Sequence, residues 1–296
     1  MPELRAGVGL GLRWEILEDV ASAGPLPIDF FEIAPENYLG RGGLYPALLE
    51  RVAERYPLSS HGLSSSLGGS AALDHDYLRA LKALLDRLGC GVCSDHLCFA
   101  SAGDAHLHEL LPVAFRREHV QRVAARVREV ADALQRPLWL ENITYYAHSG
   151  RRELSEAEFL SRVLEASDAG LLLDLNNVFV NAYNQGRDPL ELLENIPLER
   201  VREIHVAGHE LREQPARGAT PARRWCIDSH GADVCEEVLG LLEWTLQRTG
   251  PVPVLLERDN RVPPLELLLL ELARVRGVYE RALVAWRSGQ EQRRAS

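Results

Sequence analysis

The run Leu171-Leu172-Leu173-Asp174 is a short apolar segment that ends in a carboxylate. Seven more apolar runs of strand length are spread along the 296 residues. The eight runs are roughly Gly7–Leu12, Ile28–Ala34, Leu58–Leu63, Gly91–Leu97, Pro137–Ile143, Gly170–Asn176, Arg202–Ala207 and Val252–Glu257. Wholly apolar runs of this length are typical of strands that are buried on both faces of a parallel sheet.

Segments of helical period separate these runs. In 77–88 and again in 116–134, apolar residues recur three and four positions apart, and Ser155 with Glu158 has the spacing of a capping box. Eight strand and helix alternations predict a closed, TIM-type (β/α)8 barrel as a single domain over 1–287, followed by a flexible tail at 288–296. An open doubly wound sheet is the alternative, but the glycines of 7–11 alternate too closely for a phosphate-binding fingerprint.

Charge and cysteine content exclude several classes of protein. There are 33 Lys and Arg against 43 Asp and Glu, a formal net charge of −10, which disfavours nucleic acid as a partner. The five cysteines are odd in number and follow no secretory signal, so we expect a reduced, cytoplasmic protein. The Leu-rich run 265–272 contains Glu266 and Glu271, so no membrane span is expected.

From the third run onward, each apolar segment ends in a histidine or a carboxylate. These residues are His61, His96, Glu141, Asp174, His205 and Glu257. The carboxyl ends of all strands in a parallel barrel face one opening, so the six side chains should meet there. Each alone could be a hydrogen-bonded core residue, but their shared position predicts a metal site. Nitrogen and oxygen donors favour iron, manganese or zinc.

A second cluster follows the seventh strand. His209 comes four residues after His205, and Asp228 and His230 lie two apart beyond a long loop. With Asn177 they could hold one more cation beside the main group. The alternative is that Asp228 or the next residue caps a helix that starts near 231–232.

Several motifs, in order, resemble one enzyme family. They are Gly7-Val8-Gly9-Leu10, Phe31-Glu32-Ile33-Ala34-Pro35-Glu36-Asn37-Tyr38, Ser94-Asp95-His96-Leu97, Leu140-Glu141-Asn142, Leu173-Asp174-Leu175-Asn176-Asn177-Val178, Ile204-His205-Val206-Ala207-Gly208-His209, Ile227-Asp228-Ser229-His230-Gly231 and Glu257-Arg258-Asp259-Asn260. Together they resemble the multinuclear non-heme iron-dependent oxidative enzymes, over nearly the whole chain. The resemblance is specific because it includes both candidate ligand clusters.

The resemblance implies a TIM-type barrel with two or three irons of mixed Fe(II)/Fe(III) valence and O2 as co-substrate. The substrate would be a ribosomally made precursor peptide, most often modified at cysteine, and a small partner protein would recognise its leader. By position, the first iron would be held by His61, His96 and Glu141; the second by Glu141, Asp174, His205 and Glu257; and the third by Asn177, His209, Asp228 and His230.

We predict further roles for residues around these ligands. Glu141, Asp174 and His205 would be catalytic, Asp95 and Asn142 would orient ligands, and Asn37, Arg223 and Arg224 would contact the peptide. Two other classes of function stay open. One is a zinc or manganese barrel, either a sugar isomerase or an abasic-site endonuclease. The other is a non-catalytic protein that only binds metal or holds the peptide.

Overall fold

The protein is a closed parallel barrel within the residues that the computed structural model describes, which are 4–102, 105–148, 150–216 and 221–295. The strands are β1 (Val8–Gly11), β2 (Phe31–Ile33), β3 (Leu58–Gly62), β4 (Cys93–His96), β5 (Cys98–Ala102), β6 (Ala105–Pro112), β7 (Leu138–Glu141), β8 (Gly170–Asp174), β9 (Val201–Val206), β10 (Glu210–Gln214), β11 (Arg223–Ile227) and β12 (Val254–Leu256). Eight of these described strands close the barrel in the order β1-β12-β9-β8-β7-β4-β3-β2. The predicted TIM-type fold is therefore confirmed.

Helices surround the barrel. They are α1 (Trp14–Ser22), α2 (Leu44–Ala53), α3 (His75–Leu88), α4 (Arg117–Leu134), α5 (Glu156–Ser167), α6 (Leu175–Gln185), α7 (Pro189–Leu193), α8 (Glu236–Thr249) and α9 (Leu265–Ala295), with 3-10 turns at Pro35–Asn37 and Leu198–Arg200. Within the described part of the chain, no helix is both long and apolar enough to cross a bilayer.

Two boundaries differ from the sequence prediction. No helix starts near 231–232; α8 begins at Glu236, with Cys235 at its N-cap, so neither Asp228 nor its neighbour caps a helix there. Helix α9 continues to Ala295 through most of the expected flexible tail. Whether that tail moves in solution stays a prediction, as does the domain boundary at residue 287.

Two antiparallel hairpins are inserted at the carboxyl-terminal side of the barrel. Strands β5 and β6 pair directly after β4, and β10 pairs with β11 between β9 and α8. The sequence reading treated both segments as loops. Their strands are as long as those of the barrel but contain more polar residues, so they lack the apolar character by which the barrel strands were predicted.

The inside of the barrel changes from apolar to polar toward its carboxyl end. Val92, Trp139 and Leu172 form a small buried cluster of their own. Because side chains alternate along a strand, Asp174 points to the same side as Leu172. The apolar cluster therefore closes one end of the interior and leaves the other to ionisable groups.

Helix α5 begins with the predicted capping box. The Ser155 hydroxyl accepts from the backbone N–H of Glu158 at 3.2 Å, and the Glu158 carboxylate accepts from the backbone N–H of Ser155 at 2.8 Å. The next residue, Glu156, turns inward and accepts a hydrogen bond from the Tyr145 hydroxyl at 2.7 Å. Burial raises the pKa of Glu156 from 4.5 to about 7, although Tyr145 and two arginines oppose the shift.

Glu156 should make the stability of the fold depend on pH. Its folded-state pKa is raised, so the stability that Glu156 contributes is fully present below pH 4.5 and is lost as pH rises through about 7. We expect Glu156→Gln, which imitates the protonated acid, to be more stable than the wild type at pH 8 by up to about 3 kcal/mol. Urea unfolding of both proteins at pH 5 and pH 8 measures this difference. If the stability difference between Glu156→Gln and the wild type were the same at pH 5 and at pH 8, this prediction would be wrong.

Candidate metal centre

Strand register places the polar strand ends side by side. His96 is the pairing partner of Glu141 across β4 and β7, and Asp174 is the partner of His205 across β8 and β9. His61 lies in β3 next to β4, and Glu257 directly follows β12. All six are at most 7 % exposed. The structure thus gathers all six strand-end residues in one buried region.

His61, His96 and Glu141 form a tight triangle. Oε2 of Glu141 lies 2.9 Å from Nε2 of His61 and 2.9 Å from Nε2 of His96, and the two nitrogens are 3.1 Å apart. Among the described residues, this buried oxygen has no partner at an acceptable hydrogen-bond angle. Three donor atoms therefore converge on one point, and the carboxylate oxygen among them is left unsatisfied.

The remaining imidazole nitrogens fix both rings. Nδ1 of His61 lies 2.8 Å from the Ser94 hydroxyl, which itself donates to the carbonyl of Ser60. Nδ1 of His96 lies 3.2 Å from the carbonyl of Gly62. If each Nδ1 donates in this bond, the neutral ring has its Nε2 lone pair pointing into the triangle. This is the tautomer that a metal ligand needs.

Glu141 also belongs to a second group. With Asp174 and His205 it offers donor atoms that all lie within 4.8 Å of one another. Oδ1 of Asp174 caps α6 by accepting from the N–H of Asn177 at 2.5 Å, while its buried Oδ2 has no hydrogen-bond partner within the described residues. Asn177 in turn donates to Oε1 of Glu141 at 3.3 Å. Each carboxylate thus has one oxygen anchored and one oxygen available.

Glu257 links the first cluster to His230. Its Oε2 lies 3.1 Å from Nδ1 of His205 and 3.4 Å from Nδ1 of His230. Asp174, His230 and Glu257 form another group with the same spacing of donor atoms. His230 has a φ of 44°, a left-handed conformation that is uncommon outside glycine and is often found at functional sites.

The cluster is rich in buried carboxylates. Glu32, Glu141, Asp174, Glu203 and Glu257 are each at most 5 % exposed. Burial and the neighbouring Glu141 raise the pKa of Asp174 well above its ordinary value. Burial opposes the charge on His96, yet Glu141 raises the pKa of its imidazole. Such a cluster holds protons in the absence of a cation, and a bound cation would replace them.

The dimensions of the triangle fit a metal ion. Bonds of about 2.1 Å place neighbouring ligand atoms about 3.0 to 3.4 Å apart. The observed edges of 2.9, 2.9 and 3.1 Å are close to this spacing. The nitrogen and oxygen donors would suit iron, manganese or zinc.

Arg13 forms ion pairs with Glu257 and Asp259 beside the cluster. Its NH2 group lies 3.1 Å from Oε1 of Glu257, and its Nε donates to Oδ1 of Asp259 at 2.7 Å. The other oxygen of Asp259 lies 3.1 Å from Nδ1 of His230. One guanidinium therefore orients a candidate ligand directly and a second one through Asp259.

Loss of Arg13 should weaken metal binding. We expect Arg13→Gln to lower metal affinity about 10- to 100-fold, because Glu257 loses the partner of its outer oxygen, and Arg13→Lys to recover only part of the loss. Metal content and competition with a chelator measure the effect. Arg276→Gln, which removes the pair with Asp29, is the matched control. Wild-type affinity in Arg13→Gln would contradict this role.

The two residues predicted to orient ligands act through the backbone. Oδ1 of Asp95 accepts from the N–H of His96 at 2.7 Å, whereas the His96 ring bonds to Gly62 instead. Asn142 pairs with both the N–H and the carbonyl of Asp174, each at 2.9 Å. Both residues hold a candidate ligand's main chain in place.

The predicted third group is only partly assembled. Nε2 of His230 lies 2.7 Å from Oδ1 of Asp228. His209 instead stacks on Phe179, and its Nδ1 bonds to Asn176, whose amide also donates to Asp228. Asn176, not Asn177, is thus in contact with Asp228 and His209. Neighbouring positions at a helix start point in different directions, which the sequence spacing could not resolve.

A cavity of about 620 Å³ opens above the cluster. The residues that line it include His61, His96, Glu141, Asn177, Asp228, His230 and Glu257. The predicted peptide-contacting residues Asn37, Arg223 and Arg224 are not among the described residues that line it. Arg223 stacks over Trp225 and Arg224 pairs with Glu213 on the β10–β11 hairpin, so any contact with a peptide would be made outside the cavity.

Two buried glutamates of the site, Glu32 and Glu203, were not predicted from the sequence. Oε1 of Glu32 lies 3.4 Å from Nε2 of His205, and both oxygens of Glu203 lack a partner among the described residues. Glu203 precedes His205 by two positions, so strand alternation could have placed it on the same face. Glu32 lies in β2, one strand before β3, which carries His61, the first of the six predicted strand-end residues.

A (β/α)8 barrel whose mouth gathers histidines and carboxylates defines a class of candidate metalloenzymes. The chain matches the family model "RiPP precursor modification enzyme MbnB/TglH/ChrH" over residues 7–280, and it belongs to that family. The resemblance seen in the sequence is thereby confirmed. The family modifies the precursors of ribosomally made, post-translationally modified peptides, so this protein is an enzyme of that kind.

Relatives are similar along their whole length. A UPF0276 protein of Shewanella amazonensis is 44% identical over 268 residues, covering 90% of this chain and 92% of its own. A UPF0276 protein of Neisseria meningitidis serogroup B is 43% identical, with 97% and 98% covered.

Solved structures share the fold. A xylose isomerase-like TIM barrel protein of Mycobacterium smegmatis in complex with magnesium has a TM-score of 0.56 at 13% identity, covering 96% of this chain and 100% of its own. D-psicose 3-epimerase of Clostridium cellulolyticum H10 has a TM-score of 0.57 at 13% identity, with 94% and 99% covered. At this identity the likeness concerns architecture only.

Proposed function

We propose that the protein is a multinuclear iron oxidase that uses O2 to modify a precursor peptide, most often at cysteine. The observation that carries the proposal is the position of Glu141 in two adjacent donor groups. A carboxylate shared in this way can bridge two cations that lie side by side. Family membership supplies the peptide substrate class.

Each proposed metal position has its own donors. His61 and His96 would hold the first iron with Glu141, and the second would be held by Glu141, Asp174, His205 and Glu257. A third iron would be held by Asp228, His230 and Asn177. His209, which stacks on Phe179, is the fourth predicted ligand of this iron. Bound iron would supply the one-electron chemistry and the reaction with O2 that side chains lack.

The chain's own groups would prepare the site for this chemistry. Ser94 and the carbonyl of Gly62 hold the two imidazoles so that each Nε2 faces Glu141, and Asn177 holds the outer oxygen of Glu141. The catalytic role of Glu141 would follow from its place in the lining of the cavity, where a peptide thiol would arrive, and those of Asp174 and His205 from the donor group that they form with it.

We further propose a cytoplasmic enzyme that works with a small leader-binding partner protein. All five cysteines are unpaired, as expected in a reducing compartment. The test of the function is incubation of the iron-loaded protein with its precursor peptide and partner, followed by mass spectrometry. We expect an O2-dependent mass change at a cysteine. The same product in strictly anaerobic samples, or turnover with zinc alone, would overturn the proposal.

A further inference from the structure

The cavity above the candidate metal centre has an apolar wall. Phe99 and Leu111 extend into it from the β5–β6 hairpin, and Ile143 and Tyr146 do so from the segment after β7. Tyr146 is 46% exposed, so the apolar surface reaches the mouth. An exposed apolar surface beside polar groups marks a place where a ligand binds.

The wall is held in place. The Tyr146 hydroxyl accepts from the N–H of Asp228 at 2.9 Å, and its ring packs edge-on against Trp225 at 6.2 Å. Phe99 and Leu111 are paired residues of β5 and β6. A preformed apolar surface loses little entropy when a side chain packs on it.

The cavity is lined by carboxylates and histidines. Among the described residues that line it there is no lysine or arginine, and Glu109, Asp228 and Asp259 add carboxylates to Glu141 and Glu257. Arg13 points its guanidinium at Glu257 and Asp259 and does not line the cavity. An acidic side chain that entered beside the wall would meet carboxylates there and no lysine or arginine to pair with.

We propose that this wall selects the residue next to the one that is modified, and that it takes an apolar side chain and disfavours an acidic one. The inference rests on the proposed function and specifies its substrate as a short peptide segment with an apolar neighbour at the reactive position. The volume of about 620 Å³ suits such a segment but not a folded domain. The β5–β6 hairpin lies outside the barrel ring, so its residues can set specificity without a cost to the barrel.

Three labelled peptides test the selection. They carry serine in place of the reactive cysteine and have leucine, serine or aspartate on both sides of it, and their affinity for the metal-loaded protein is measured by fluorescence anisotropy. We expect the leucine peptide to bind about tenfold more tightly than the serine peptide, because an apolar side chain is buried, and the aspartate peptide to bind most weakly.

Variants assign the effect to the wall. Leu111→Ser should reduce the preference for leucine to less than about threefold without changing metal content, while Leu270→Ser on exposed α9 should leave it unchanged. Equal affinity for the leucine and serine peptides, a full preference in Leu111→Ser, or no binding by any peptide would overturn the inference. Selective binding without oxidation of the cysteine peptide would refute the proposed function alone, and oxidation without any preference would refute the selection alone.

Discussion

Glu141→Gln should lose metal from two positions at once. The amide keeps the size of the side chain and can still be contacted by Asn177, but it removes the charge at Oε2, the atom 2.9 Å from both His61 and His96. We expect metal affinity at both groups to fall more than about 100-fold, since even residues that only support a ligand cost 10- to 100-fold. Metal analysis and equilibrium dialysis measure this loss.

The matched control removes a carboxylate of the same type from the surface. Glu129 is half exposed and pairs only with His75 among its described contacts, so Glu129→Gln should keep the full metal content. If Glu141→Gln retained the wild-type number of metals, Glu141 would not be a shared ligand, and the arrangement proposed for the centre would be wrong.

Gly208→Ala should disrupt the packing of the backbone after His205 against the backbone after His230. A Cβ at Gly208 would lie 1.9 Å from the backbone oxygen of Ala232, two residues after His230. The backbone must move to admit it, so we expect a loss of about 3 kcal/mol or more in the free energy of unfolding. Displacement of His230 should also weaken metal binding there while the His61 and His96 group stays loaded.

Thermal unfolding and metal analysis check this prediction together. The comparison variant is Gly240→Ala in α8, where an added Cβ meets no atom within 4 Å and should stabilise the helix by up to about 1 kcal/mol. A melting temperature of Gly208→Ala equal to that of the wild type would show that the two backbones are not held together as the structure has them.

The barrel and its site could be predicted from the sequence because the strands and the candidate ligands belong to the same pattern of apolar runs that end in a polar residue. Apolar runs such as Leu171-Leu172-Leu173 are long enough to identify a buried strand, and the polar residue that ends each run marks the same barrel edge. Register then pairs His96 with Glu141 and Asp174 with His205 without any further requirement. For this reason the six strand-end residues were found from the sequence and do meet in the structure.

The other features of the site depend on side-chain directions that cannot be predicted from the sequence pattern. Whether Asn176 or Asn177 faces Asp228 is decided by the first turn of α6, and the stacking of His209 on Phe179 by tertiary packing. The ion pair between Arg13 and Glu257 joins residues that are 244 positions apart. The two hairpins were not predicted because their strands are not wholly apolar, and one of them provides part of the apolar wall.

The most direct test of the proposed iron centre is the metal content of the protein after growth with iron-57, measured by mass spectrometry and Mössbauer spectroscopy in wild type and Glu141→Gln. We predict two or more irons per chain, partly coupled to each other, and loss of that coupled signal in the variant. Stoichiometric zinc without iron, or isolated uncoupled iron in both proteins, would contradict it.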